Sequence, residues 1–279
     1  MREPKRWRET INPFDLKFKN FKLIKILGYP HARNDVFYVK GIYKNKNVCA
    51  YIKCSRCDNN FIKENEFLNN SKIPFKSEVI ECDEKGKYLI TRAKNGKKLS
   101  KILNVNPECS SEYLFEYGKQ LAKMHKLDID CDKMNYRKFF LPPSIEDCKK
   151  YGLESFRACL VKREPKEINE CFCHGDMHYA NVIWLGKKIN AILDYELAGI
   201  GSKEYDIAWV LINRPGQKFL RRKEDIDSFL KGYKEINDFN MEYVKYYMGV
   251  IYLHFYMIGY KDEEYREYVF NTLKSEYSS

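Results

Sequence analysis

The sequence predicts an α+β chain in two portions: a small antiparallel sheet carrying one helix over residues 1–93, then a larger, mainly helical portion over 94–279. Three observations lead there. Up to residue 92, short apolar runs alternate with turn-forming residues, which is how strands and hairpins read. From Ser110 onward the apolar spacing changes to three and four, the period of helices. The 279 residues are 44% hydrophobic and 32% charged, enough apolar material for a sizeable core and too much for a disordered chain.

Residues 21–27 read as a first strand, 28–35 as a turn-rich loop and 36–42 as a second strand. A polar turn at 43–47 leads to a third strand at 48–53, ending on Lys53. Residues 61–68 place Phe61, Ile62, Phe67 and Leu68 as a short helix that should end near Pro74. Residues 79–80 and 87–91 give two more strands around the charged turn at 83–86. Beyond Ser111, a candidate cap, the residues Leu114, Tyr117, Leu121, Met124 and His125 mark a helix face. The Pro142-Pro143 pair breaks the chain, and Ser144 with Asp147 resembles a capping box for the next helix. The last sixty residues are helix-compatible, with Tyr and Phe in place of Leu. No Gly/Ser linker joins the two portions, which meet at residues 92–98 and are expected to share a cleft.

Net charge is +11, and the excess lies in the first third: residues 1–100 carry 23 Lys and Arg against 11 Asp and Glu, whereas 221–279 carry 9 against 11. A basic region attracts nucleic acid, an anionic membrane or a phosphorylated small molecule. No apolar run reaches the about 18–20 residues that cross a bilayer. The basic start, residues 1–10, lacks the apolar stretch of a signal peptide. A cytoplasmic protein without a membrane span is therefore expected. Ten cysteines in such a chain are expected as reduced thiols. Cys54 with Cys57, and Cys171 with Cys173, match structural zinc spacings only loosely, so small apolar packing residues is the reading adopted.

The stretch from Cys173 to Glu196 carries the chemistry. It reads Cys173-His174-Gly175-Asp176, then Asn181 five residues after Asp176, then Asp194 thirteen residues further at the end of an apolar run. Phosphoryl transfer from ATP requires a carboxylate to orient the attacking hydroxyl and take its proton, and two oxygen ligands for Mg²⁺. The spacing supplies all three.

His-Gly-Asp-x-x-x-x-Asn followed by Ile-Leu-Asp resembles the aminoglycoside phosphotransferase and choline kinase superfamily, small-molecule relatives of the protein kinases. The resemblance covers most of the chain and implies a two-lobed protein-kinase-like fold. It implies Asp176 as catalytic base, Asn181 and Asp194 as catalytic residues holding Mg²⁺, His174 as a brace and Asp206 as an anchor beneath the loop. Lys53, at a strand end, would pair with the α- and β-phosphates. Its partner would be Glu64 or Glu66. Glu64 is favoured, because Phe67 and Leu68 then follow at i+3 and i+4 on a packed face. Residues 88–93, with Arg92 and Ala93, resemble the hinge whose backbone binds adenine. The nucleotide loop departs from a Gly-rich pattern, with only Gly28 before residues 31–35.

Asp194-Tyr195-Glu196 replaces Asp-Phe-Gly, Gly175 stands where protein kinases have Arg, and no Ala-Pro-Glu segment follows. The implied activity is an ATP-dependent phosphotransferase, with GTP as the other possible donor, acting on a small hydroxylated molecule: an aminoglycoside, choline, ethanolamine or a related amino alcohol or sugar. Asp194-Tyr-Glu-Leu-Ala-Gly199 is similar to choline and ethanolamine kinases, and aromatic residues at 243, 246, 247, 252, 255, 256 and 260 could hold a quaternary ammonium. Their helical spacing reads more simply as core. Two other classes stay open here, a catalytically silent kinase-like scaffold and a basic nucleic-acid-binding protein. The four chemically matched residues speak against the first, and a nucleotide accounts for the charge behind the second.

Overall fold

In the computed structural model, which describes residues 11–30, 34–55, 61–217, 219–258 and 262–277, the chain divides into two compact units. One comprises the chain up to Asn95 together with Asn190–Glu196, the other Gly96–Ile189 and the chain from Leu197 onward. The expectations that rested on residues 1–10, 31–33, Cys57 and Tyr260 fall outside the described residues.

The first unit is a five-stranded antiparallel sheet of order β1-β2-β3-β5-β4. Its strands are β1 (Phe21–Gly28), β2 (Asp35–Tyr43), β3 (Lys46–Cys54), β4 (Val79–Cys82) and β5 (Tyr88–Arg92). Lys44 and Asn45 join β2 to β3 with φ of 48° and 60°, the left-handed pair whose twist suits a two-residue hairpin. Along β3 the period of two decides the site: Val48, Ala50, Ile52 and Cys54 are buried, so Cys49, Tyr51 and Lys53 lie on the opposite face. Phe37, Val39, Ala50, Ile52 and Ile90 form the centre of this unit's core. Helix α1 (Ile62–Asn69) buries Phe67 and Leu68 and, with them, Glu64. It closes where the Asn70 amide donates to the Glu66 and Phe67 carbonyls, short of Pro74.

The second unit opens with β6 (Lys97–Lys98), α2 (Leu99–Leu103) and α3 (Ser110–His125), followed by α4 (Ile145–Lys149) and α5 (Glu154–Lys162). Short strands β7 (Glu170–Cys173) and β8 (Val182–Leu185) come next, and β9 (Lys188–Ile192) carries the chain into the first unit. Strand β10 (Gly199–Ser202) returns and pairs antiparallel with β7. Helices α6 (Lys203–Leu211), α7 (Lys223–Lys234), α8 (Met241–Met257) and α9 (Glu263–Tyr277) complete it. Helices α3 and α7 meet at backbone distance: a Cβ on Gly118 would lie 2.0 Å from the Phe229 carbonyl oxygen, and one on Gly232 1.9 Å from that of Phe115.

One local expectation is corrected. Ser111 does not cap α3, which starts one residue earlier; the Ser110 hydroxyl is spent on Asp225 of α7. Helix α6 is buried from Glu204 to Leu211. Ser144 does cap α4, accepting the Asp147 amide at 3.0 Å. In α8, Tyr246, Tyr247, Tyr252 and Phe255 are buried as core. Among the described residues no helix is long and apolar enough to cross a membrane.

Candidate active site

Strand β7 ends at Cys173, and the next residues turn sharply because Gly175 takes φ +75°. A Cβ there would sit 2.9 Å from the Leu197 carbonyl oxygen, so space and conformation both demand glycine. The turn aims two consecutive amides at one carboxylate: His174 N–H donates to Asp206 Oδ2 at 2.9 Å and Gly175 N–H to Oδ1 at 3.1 Å. Asp206 is fully buried on α6, where Ser202 caps the first turn by accepting the Tyr205 amide. His125, from the end of α3, reaches the same carboxylate with Nε2 at 3.2 Å, while its Nδ1 lies 2.7 Å from Tyr233 Oη. Burial opposes a charge on His125, but Cys171 and Asp206 outweigh it and hold its pKa above the ordinary value. The anchor beneath the loop is thus a buried carboxylate shared between two amides and an imidazole.

The loop then displays Asp176. Its amide donates to His174 Nδ1 at 3.2 Å, its carbonyl accepts the His178 amide at 2.8 Å, and Asn181 Nδ2 donates to that carbonyl at 3.0 Å and to Asp176 Oδ2 at 3.3 Å. Tyr117 Oη secures the loop from α3 through the Met177 carbonyl at 2.7 Å. With Nδ2 spent on Asp176, the Asn181 carboxamide oxygen is the atom left as a ligand, and an oxygen donor is what a hard divalent cation takes. Two residues that sequence reasoning missed grip the Asp176 carboxylate: Trp209 Nε1 donates to Oδ1 at 2.8 Å and Arg137 makes an ion pair with Oδ2 at 2.6 Å. Trp209 follows Asp206 by three residues on α6, one helical turn, and that spacing is the signal that could have found it. Arg137 lies 39 positions before Asp176 in an irregular stretch and gave no signal.

The first unit holds the other candidates. Lys53 Nζ lies 2.7 Å and 2.9 Å from the two oxygens of Glu64 and 2.8 Å from Asp194 Oδ1. Glu64 is buried and Glu66 exposed, so the helix face that packs Phe67 and Leu68 also carries the partner of Lys53. Burial works against the Lys53 ammonium, but the Glu64 and Asp194 carboxylates outweigh it and hold the pKa well above its usual value. Burial raises that of Glu64, with Lys53 pulling the other way. Asp194 arrives at the end of β9 with φ +72°, a left-handed backbone that a non-glycine residue adopts only when its surroundings hold it there. At the expected hinge, the Arg92 amide donates to the Glu78 carbonyl and the Ala93 amide to that of Cys49, both at 2.9 Å. Neither amide is left for a base.

Near the loop, Cys171 and Cys173 point the same way from β7, with Sγ atoms 3.7 Å apart, and together with His125 form a cluster whose ligand atoms lie within 4.8 Å of one another. The hydrogen bond from Cys173, helped by His125 against burial, lowers the Cys171 pKa to about 7; burial pushes that of Cys173 well up.

The profile described as phosphotransferase enzyme family matches residues 68–246. Among solved structures, the chain is similar to a choline/ethanolamine kinase family protein from Mesorhizobium loti, at 16% identity and TM-score 0.61 over 91% of this chain and 88% of that one. It is similar to a choline kinase from Cryptosporidium parvum at 13% identity and TM-score 0.58, covering 97% and 93%. A streptomycin–ATP–APH(2")-IIa ternary complex matches at 13% identity and TM-score 0.55, covering 90% and 92%. No curated protein sequence matches. These likenesses establish the α+β, kinase-like fold expected from the sequence.

Proposed function

The chain belongs to the phosphotransferase enzyme family, and on that premise we propose that it moves the γ-phosphoryl group of ATP to a hydroxyl of a small molecule. The observation that carries this reading is the Lys53 cluster: three residues spread over 141 positions of sequence meet within 2.9 Å, and they are the lysine, the helix glutamate and the second aspartate that phosphoryl transfer calls for. GTP is the alternative donor.

In this reading residues 1–93, joined by the returning Asn190–Glu196, bind the nucleotide, and the rest of 94–279 binds the acceptor. Lys53 neutralises the α- and β-phosphate oxygens, with Glu64 keeping its ammonium in place. Asn181 and Asp194 offer oxygen donors that fit Mg²⁺, which when bound neutralises charge on the transferring phosphates. Asp176 orients the acceptor hydroxyl and receives its proton; the acceptor oxygen bonds to the γ-phosphorus, the bond to the β,γ-bridging oxygen breaks, and ADP leaves. Trp209 and Asn181 hold the Asp176 carboxylate in one orientation, so little reorganisation is needed when the hydroxyl arrives. The edge of β5 at Arg92 and Ala93 remains the proposed adenine contact, through atoms other than those two amides. The cytoplasm, where ATP is supplied, is the proposed location.

The test is transfer of labelled γ-phosphate from MgATP to a panel of aminoglycosides, choline, ethanolamine, amino alcohols, hydroxy acids and sugars. Transfer to at least one acceptor, abolished by Asp176→Asn, supports the reading. No transfer to any of them, with no rise in melting temperature on adding MgATP, overturns it in favour of a silent scaffold.

A further inference from the structure

The charge around the proposed base bears on the acceptor. Arg137 pairs with Asp176 Oδ2 at 2.6 Å and lies over the Trp209 ring, its guanidinium carbon 4.9 Å from the ring centroid. Arg214 lies 4.8 Å from the centroid of the same ring. Arg214 turns two of its N–H groups to the backbone, donating to the Trp209 carbonyl at 2.6 Å and the Ile212 carbonyl at 3.0 Å. The Arg137 Nε–H is buried and has no acceptor among the described residues. The side chains that meet the Asp176 carboxylate or the Trp209 ring here, Arg137, Arg214, Asn181, Phe139, Tyr205 and Phe255, are cationic, aromatic or neutral.

A hydroxyl that approaches Asp176 must come in beside the Arg137 guanidinium. A polycationic or quaternary-ammonium acceptor would bring like charge against it and would have to displace it from Asp176 with nothing to offer in return. An acceptor with its own anion near the hydroxyl offers a better exchange. A carboxylate or phosphate accepts two parallel N–H bonds from a guanidinium, uses the unspent Nε–H, and draws the guanidinium from the base as the hydroxyl takes its place. Resting on the phosphotransferase reading, we propose that the acceptor is an anionic hydroxy compound, whose carboxylate or phosphate is bound by Arg137 while its hydroxyl meets Asp176.

The test is calorimetric titration of the full chain, in the presence of MgADP, with D-glycerate, glycerol 3-phosphate, glycerol, choline and kanamycin, followed by phosphoryl transfer from MgATP to each. An anionic probe is expected to bind, and glycerol, choline and kanamycin to bind at least about tenfold more weakly. Binding by glycerate alone identifies a carboxylate, and by glycerol 3-phosphate alone a phosphate ester. Arg137→Gln should weaken the anionic probe by about tenfold or more, Arg137→Lys by less, because a lysine keeps the charge but not the paired donors. The exposed neighbour Lys138, replaced by Gln, should leave it unchanged. The wild-type comparison of anion with cation stands even if a variant fails to fold. Choline or kanamycin binding as tightly as the anions, anion binding indifferent to Arg137→Gln, or no anion binding at all would each overturn the proposal. Where MgADP still binds, those results leave the kinase reading standing, whereas a protein that binds no nucleotide brings down both.

Discussion

Replacing Lys53 with Met tests the ion cluster in its simplest form. The substitution keeps the bulk of the side chain but removes the ammonium that touches both Glu64 oxygens and Asp194 Oδ1 within 2.9 Å. Glu64 is 3% exposed, so water cannot replace the lost partner. Removing one member of a buried ion pair costs about 3–5 kcal/mol, because the charge left behind is uncompensated. Glu64 can escape part of that by taking a proton, as burial already raises its pKa. The sign follows: a carboxyl with a folded-state pKa above its unfolded value contributes stability that is present at low pH and lost as pH rises through the folded value. The deficit of Lys53→Met should therefore be smaller at pH 5 than at pH 8. Urea unfolding with an unchanged m-value measures it. The double variant Lys53→Met with Glu64→Leu, which removes both charges, should recover most of the stability without recovering nucleotide binding. A loss under about 1 kcal/mol at pH 8, or a deficit independent of pH, would refute the claim that Glu64 depends on Lys53.

Two further predictions concern the helical unit. Asp206→Ala should cost about 3–5 kcal/mol in urea unfolding and abolish turnover, since it strands the His174 and Gly175 amides and the buried His125; near-parental stability would contradict the anchoring role. Half-buried Cys171 should react with iodoacetamide with a midpoint near the value of about 7 that its thiol is drawn down to, and buried Cys173 should resist. Because the folded-state pKa of Cys171 is depressed, its stabilising contribution is present above the ordinary thiol value and is lost as pH falls through about 7. Peptide mass spectrometry across pH 5 to 9 reads the labelling, and a midpoint at the ordinary thiol value would contradict the hydrogen-bonded pair.

Legibility differed between the two units for physical reasons. The pairing of Lys53 with Glu64 follows from helix geometry: the face that buries Phe67 and Leu68 carries Glu64 with it and turns Glu66 to solvent. The sheet strands were legible because β2 and β3 are each nine residues long and show several periods of alternation. Strands β7, β8 and β10 have four residues each, too few for a period, and they are held by their pairing and by the packed chain around them. The return of Asn190–Glu196 to the first unit was hidden for the same reason, as no local pattern reports which core a short apolar run joins. Arg137 was invisible because its significance lies in a contact with a carboxylate far along the chain, and nothing in its own neighbours announces that partner. The strand at Tyr88–Arg92 was read at the right place, and its last amides serve the sheet, which no local pattern reports.

The division of labour between the two aspartates is the centre of the account, and titration of MgATP into the parent, Asp176→Asn and Asp194→Ala measures it most directly. Asp176→Asn should bind MgATP as the parent does while its turnover falls by about 10² to 10⁴, and Asp194→Ala should lose MgATP affinity. Nucleotide binding that collapses in Asp176→Asn and survives in Asp194→Ala would contradict it.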